Sequence, residues 1–408
     1  MYIEYSFGGH TMINEKMAKM AGTNSAVREM FEEGNRLKAL YGPENVYDFS
    51  IGNPYFPAPA SVKTAIVEIL ETMDSNFIHG YMPNDGYPAV RQTVAEYINT
   101  NFGDNISGDN IIMTVGAAGG LNACLKALLN EGDEVIVPAP YFLEYGHYVG
   151  NYGGVIVPVH SKESEGFMPD IDGIAAAINP KTKAVIINNP NNPTGVIYPA
   201  AVIEKLAAVL EAKQQELGIS IYLISDEPYR ELAFDGAEVA YLPKYYRNTI
   251  VGYSWSKSLS LPGERIGYLE IPPRIDDYAV VRSAISISAR ILGFVNAPSL
   301  MQLVVQRCIN ESTDIAAYDN NRKLLYGGLS ELGFTCAKPE GAFYLWLKSP
   351  TADEKEFIGE AKKHNILLVP GSSFMCPGYV RIAYCVSPDT IKGSMKGFEA
   401  LAEQYGLK

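Results

Sequence analysis

Hydrophobic positions along this chain follow two periods. Short apolar, β-branched runs recur at residues 110–115, 132–142, 183–187, 219–225 and 249–253, the second ending in an aromatic pair, and each predicts a buried strand. Between them, apolar residues at helical spacing predict helices over about 24–41, 61–73, 89–97, 121–129 and 199–217. The first has Asn24 or Ser25 as its cap and an apolar stripe of Val27, Met30, Phe31, Leu37 and Leu40, broken by Gly34. Strands alternating with helices predict an α/β fold built on a mostly parallel sheet. One strand breaks the rule. The connection from Ser258 to Gly263 is too short for a parallel crossover, so the run at 265–271 must return antiparallel. Helical segments follow over 282–306, broken near Gly293 and Pro298.

From about Val304 the pattern changes. A long helical stretch leads to strand patterns at 339–347, 366–369 and 379–385, with a short helix at 357–363 and a closing helix. This reads as a compact α+β unit. A strand over 46–51 and the proline-rich loop after it, Gly52-Asn53-Pro54-Tyr55-Phe56-Pro57, lie far upstream. At 408 residues two domains are expected. The boundaries drawn are 1–55 for an arm and part of a smaller domain, 56–300 for a large domain, and 301–408 for the rest of the small one.

Composition narrows the function. The net charge of −13, without a basic stripe, argues against nucleic acid. Five cysteines, an odd number with no C-x-x-C, predict reduced thiols in the cytoplasm. Residues 1–20 have no apolar core of signal-peptide length and no run approaches a membrane span, so no membrane partner is expected. No metal site is expected either.

The candidate chemistry sits at the ends of the predicted strands. Lys257 follows the run 249–253, flanked by Ser254 and Ser256, with Arg265 eight positions on. A partly desolvated amine loses its charge readily and becomes a nucleophile, and Arg265 with Ser254 can hold a dianion beside it. Asp226 closes the run before it. A carboxylate at the end of a buried strand needs a cation or donors, or else it caps a helix. Small residues Gly116 to Gly120 between a strand and a helix leave backbone amides free for an anion. Arg381 alternates with Val380 and Ile382 and so points to the opposite face, where it needs a carboxylate.

Taken in order, Asn192 in Asn-Pro-Thr-Gly, Asp226, Tyr229, Lys257 in Ser-Trp-Ser-Lys, Arg265, and Arg381 in Arg-Ile-Ala resemble the class I and II aminotransferases, the fold-type-I, aspartate aminotransferase-like enzymes. The resemblance covers nearly the whole chain after about Asn24. It implies a large domain with a seven-stranded, mostly parallel sheet holding one antiparallel strand, flanked by helices, and a smaller α+β domain drawn from both termini. It implies pyridoxal 5'-phosphate as cofactor, joined to Lys257 as an aldimine, and ping-pong transfer of an amino group from an L-amino acid to a 2-oxo acid. Asp226 would face the ring nitrogen, Asn192 and Tyr229 the phenolic oxygen, and Phe142 the ring face. Ala117, Ala118, Ser254, Ser256 and Arg265 would hold the phosphate. Arg381, Asn192 and the backbone at Gly52 would take the substrate carboxylate, and Tyr81 would reach the neighbouring subunit's phosphate, making a homodimer. A carbon–sulfur β-lyase on the same scaffold shares these residues. A regulator's binding module would need an N-terminal basic helix-turn-helix, and a dehydrogenase a G-x-G-x-x-G fingerprint; neither is present. Some aspartate-using members carry a lysine in the phosphate loop, where this chain has Ala118; Arg290 is a candidate replacement, but the favoured reading of Arg290 is a surface or inter-subunit pair.

Overall fold

A computed structural model describes residues 13–21 and 26–408. The proposed caps Asn24 and Ser25 lie outside these residues, as do the side chains of Val27 and Phe31. Thirteen strands are present among them. In chain order they are β1 (Tyr47–Asp48), β2 (Ile111–Thr114), β3 (Glu134–Ala139), β4 (Val155–His160), β5 (Thr182–Asn188), β6 (Tyr222–Asp226), β7 (Thr249–Ser254), β8 (Gly267–Glu270), β9 (Cys336–Ala337), β10 (Tyr344–Lys348), β11 (Ile366–Leu367), β12 (Val369–Pro370) and β13 (Tyr379–Ala383).

Seven strands form one sheet in the order β2-β8-β7-β6-β5-β3-β4. Only β8 is antiparallel, against both β2 and β7, as the short 258–263 connection requires. The central strands β6 and β7 are buried along their whole length, which is why they read as unbroken apolar runs. Helices Gly116–Leu128, Ala200–Leu217 and Tyr278–Ile291 cover the sheet. The four-stranded sheet β12-β13-β10-β9 belongs to a second core with the helices Ile315–Glu331, Glu354–Lys363 and Pro388–Gln404. Helix Ser299–Arg307 packs instead on the helices Ala60–Thr72 and Pro88–Phe102 of the larger body. Among the described residues no helix is long and apolar enough to cross a membrane, and the five cysteines are free thiols.

Several expected boundaries move. The helix after β2 starts at Gly116 rather than Leu121. Its glycines serve packing: a Cβ on Gly120 would lie 3.2 Å from the Leu269 side chain. The strand expected over 46–51 keeps only two residues, paired in parallel with β11, because the Asp48 carboxylate turns back to accept from the Ser50 amide and hydroxyl. The run 366–369 divides between two sheets, with β11 on β1 and β12 on β13. The run expected from 339 begins only at Tyr344, since Ala342 has φ of +57° and the Gly341 turn bridges to Ala233. Gly34 does not interrupt its helix. It lets that helix approach β1, where a Cβ would sit 2.7 Å from Asp48 Oδ2, while Leu40 is exposed rather than packed.

Candidate active site

The carboxyl ends of β5, β6 and β7 and the start of helix Gly116–Leu128 open into one cavity of about 710 Å³. This is where an open parallel sheet presents its strand ends and helix N-termini together. Its upper wall comes from the loop at Gly52 and from Tyr344, Phe374 and Arg381 of the smaller core. Of the cofactor- and substrate-binding candidates singled out from the sequence, all but Tyr81 and Arg290 line this cavity.

Lys257 lies in the helical turn Trp255–Ser258, directly after β7. Ser254 caps that turn, accepting from the Ser256 amide at 3.2 Å, and the two hydroxyls are 2.6 Å apart. The Lys257 Nζ donates to the Gly52 carbonyl at 2.6 Å. Burial brings its pKa down to about 8, and the nearby Arg381 and Arg265 cations push the same way. About a tenth of the amine is therefore neutral at pH 7 and half at pH 8, far more than for an ordinary lysine.

One end of the cavity is made for an anion. No side chain caps the helix at Gly116, so the first-turn amides of Ala117 and Ala118 keep their free N–H groups beside Ser254, Ser256 and Arg265. Gly116 has φ of +66°, and a Cβ there would lie 2.8 Å from Arg265 Nη2, so only glycine leaves the guanidinium its place.

The opposite requirement appears at Asp226. It does not cap a helix; the chain turns after β6, and the carboxylate is 5% exposed. The Tyr145 hydroxyl donates to Oδ2, while Oδ1 is buried with no hydrogen-bond partner. Burial raises the carboxyl to about 7, with the Tyr145 hydrogen bond pulling the other way. An orphaned buried carboxylate oxygen calls for a cationic N–H opposite it. Asn188 and Asn192 are tied to this floor: Asn188 Nδ2 donates to the Asp226 carbonyl at 2.9 Å, and its Oδ1 accepts from the Asn192 amide at 2.7 Å. Phe142 lines the cavity and meets Tyr145 edge-on, whereas Tyr141 is buried in the core.

Arg381, 4% exposed, has no carboxylate partner among the described residues. Its Nη1 donates to Asn192 Oδ1 at 3.1 Å and its Nη2 to the Ser50 carbonyl at 2.7 Å, and the guanidinium packs on the rings of Tyr344 and Phe374. Its Nε is left without a partner, so the guanidinium keeps donor capacity that nothing in the chain uses.

Sequence reasoning missed Tyr145 and Tyr344. Tyr81, 94% exposed, lies away from this cavity.

The aminotransferase class I and II family matches residues 44–396. The chain belongs to this family. A probable aspartate/prephenate aminotransferase of Thermus aquaticus is 32% identical over 94% of this chain and 96% of its own length. An aspartate aminotransferase of Geobacillus stearothermophilus is 32% identical over 95% of this chain and 99% of its own. Among solved structures, an aminotransferase of Eubacterium rectale, 45% identical, superposes with a TM-score of 0.94 over 97% of this chain and 100% of its own. The aspartate aminotransferase of Thermus thermophilus with maleate, 28% identical, gives 0.83 over 96% and 100%. This aminotransferase therefore transfers an amino group from an amino acid to a 2-oxo acid, and the carbon–sulfur lyase reading finds no support among these relatives.

Proposed function

We propose that this aminotransferase binds pyridoxal 5'-phosphate in the 710 Å³ cavity and works on L-amino acids held by Arg381. The observation that carries the reading is Asp226: a buried carboxylate whose Oδ1 lacks a partner fits a protonated pyridine nitrogen. The phosphate would sit on the amides of Ala117 and Ala118 with Ser254, Ser256 and Arg265, and Phe142 would cover one ring face. When bound, the cofactor supplies a ring that takes up the electron pair left by the departing α-proton.

The chain's own residues do the rest. Arg381 and Asn192, with the backbone at Gly52, orient the substrate carboxylate. The Lys257 amine, half neutral near pH 8, takes the proton from the α-carbon and returns it at the next step. Asn192 and Tyr229 direct polar groups toward the phenolic oxygen.

The division into 1–55, 56–300 and 301–408 is part of the same reading, with helix Ser299–Arg307 docked on the larger body. So are a cytoplasmic location and a homodimer. The nearly bare Tyr81 ring, at 94% exposure, supports a contact with a second copy, near the phosphate end of its cavity. The relatives' names make aspartate the first donor to try. With alanine at position 118, a distal carboxylate would need another group; Arg290 is exposed in the last turn of helix Tyr278–Ile291 and does not line the cavity of its own chain, so only a contact between subunits could bring it there.

The test is a donor-by-acceptor screen with added cofactor. Borohydride treatment of the loaded protein should add the cofactor's mass to the peptide containing Lys257. Lys257→Ala should lose both the mass gain and turnover; a variant with full turnover would refute the assignment.

A further inference from the structure

Tyr344 belongs to none of the sequence motifs, yet three site residues meet on it. On β10 it stands opposite Ala383, and Trp346 stands opposite Arg381, so Tyr344 and Arg381 project from the same sheet face. The Arg381 guanidinium carbon lies 4.6 Å from the Tyr344 ring centroid. The Tyr344 hydroxyl is 2.9 Å from that of Tyr229, which follows β6 of the other sheet. A Cβ on Gly52 would come within 2.0 Å of the Tyr344 oxygen, so glycine at 52 leaves room for it, and the Gly52 carbonyl is the one that holds Lys257.

Only one proton can lie between two hydroxyl oxygens at this separation. If Tyr229 gave its proton to Tyr344, it would have none to offer the cavity. The charges favour the other direction. Burial raises both phenols, and the Arg381 guanidinium that packs on the Tyr344 ring, 4.6 Å from its centroid, works against that rise there and makes Tyr344 the better donor. The more acidic hydroxyl donates.

We propose that Tyr344 is a positioning residue that joins the substrate arginine to Tyr229: its ring seats the Arg381 guanidinium, and its hydroxyl donates to the Tyr229 oxygen and leaves the Tyr229 proton facing the cavity. The inference rests on the cofactor reading above. Under it, the Tyr229 proton goes to the phenolic oxygen, and a hydroxyl that accepts a bond donates more strongly in turn.

Two variants separate ring from hydroxyl. Tyr344→Phe keeps the ring and the volume; Tyr344→Leu removes both. The readouts are the pH midpoint of the cofactor's visible absorbance, the cofactor dissociation constant from tryptophan fluorescence, and KM against kcat for an amino donor. In Tyr344→Phe, a weaker bond to the phenolic oxygen raises the proton affinity of the chromophore, so the midpoint should move up by about half a unit, a threefold change. Cofactor binding should weaken by a similar factor, and KM should stay within about twofold because the ring under Arg381 remains. In Tyr344→Leu the midpoint should move likewise while KM rises about tenfold. A wild-type midpoint in Tyr344→Phe, or an equal rise of KM in both variants, would overturn the inference alone. Failure of the unaltered chain to bind the cofactor would overturn it together with the reading it rests on.

Discussion

The Tyr145 hydroxyl occupies one oxygen of Asp226 and leaves the other bare at the cavity floor. Tyr145 lies in the helix Glu144–Gly150 and meets Phe142, the residue proposed to cover the cofactor ring, edge-on, so one short segment supplies both the proposed cover and the partner that fixes the Asp226 carboxylate. The tyrosine holds Asp226 in one orientation without neutralising it.

Asp226 should therefore make the cofactor-free protein pH-sensitive. Its carboxyl titrates near 7 when folded against an ordinary value of 3.8. Between those values the folded chain keeps a proton that the unfolded chain has released. Stability consequently falls as pH rises from about 4 to about 7, by up to about 4 kcal/mol at about 1.4 kcal/mol per unit. Asp226→Asn should flatten that part of the melting-temperature profile relative to the unaltered chain, and saturation with cofactor should do the same. Transamination by the variant should drop at least about a hundredfold. Parallel pH profiles for the two cofactor-free proteins would refute this.

The Lys257 amine gives a second pH signature of opposite kind. Burial, with Arg381 and Arg265, holds it near 8 rather than 10.5. Borohydride-dependent incorporation of cofactor into the cofactor-free protein should rise with pH to a midpoint near 8. Between 8 and 10.5 the unfolded chain carries the extra proton, so stability rises with pH across that window, and Lys257→Met should remove the rise. An incorporation midpoint near 10 would show that the amine is solvated.

Gly116 tests the anion end without touching a charge. An added methyl group would meet Arg265 Nη2 at 2.8 Å at a backbone φ of +66°. Gly116→Ala should weaken cofactor binding about tenfold, close to the effect of Arg265→Ala, and cost about 1 to 2 kcal/mol of stability from the left-handed backbone. Fluorescence titration measures the first and thermal melting the second. Unaltered cofactor affinity in Gly116→Ala would mean that Arg265 does not need its present position.

Much of this site was legible because chemistry stands out where packing is expected. A carboxylate after Tyr222–Ser225, a lysine after Thr249–Tyr253 and an arginine between Val380 and Ile382 all interrupt apolar runs, and each proves to face the cavity. The antiparallel return of β8 followed from a connection length alone. Tyr145 and Tyr344 were hidden for the converse reason: an aromatic residue within an apolar pattern looks the same whether it fills the core or turns one hydroxyl toward a site. Strand β4 carries Pro158, which weakens its strand pattern, and the structure puts it at the sheet edge, where a proline is tolerated. The early start of the helix at Gly116 was obscured by glycines that belong to close packing rather than to a loop.

The pairing of β1 with β11, and the bond from Arg381 to the Ser50 carbonyl across 331 positions, set an order of assembly. The loop carrying Gly52 precedes both of its supports in the chain: Lys257, which holds the Gly52 carbonyl, and Arg381, which holds the Ser50 carbonyl. A chain halted before Arg381 would possess its lysine and its anion cradle yet lack the arginine that fixes the Ser50 turn above them.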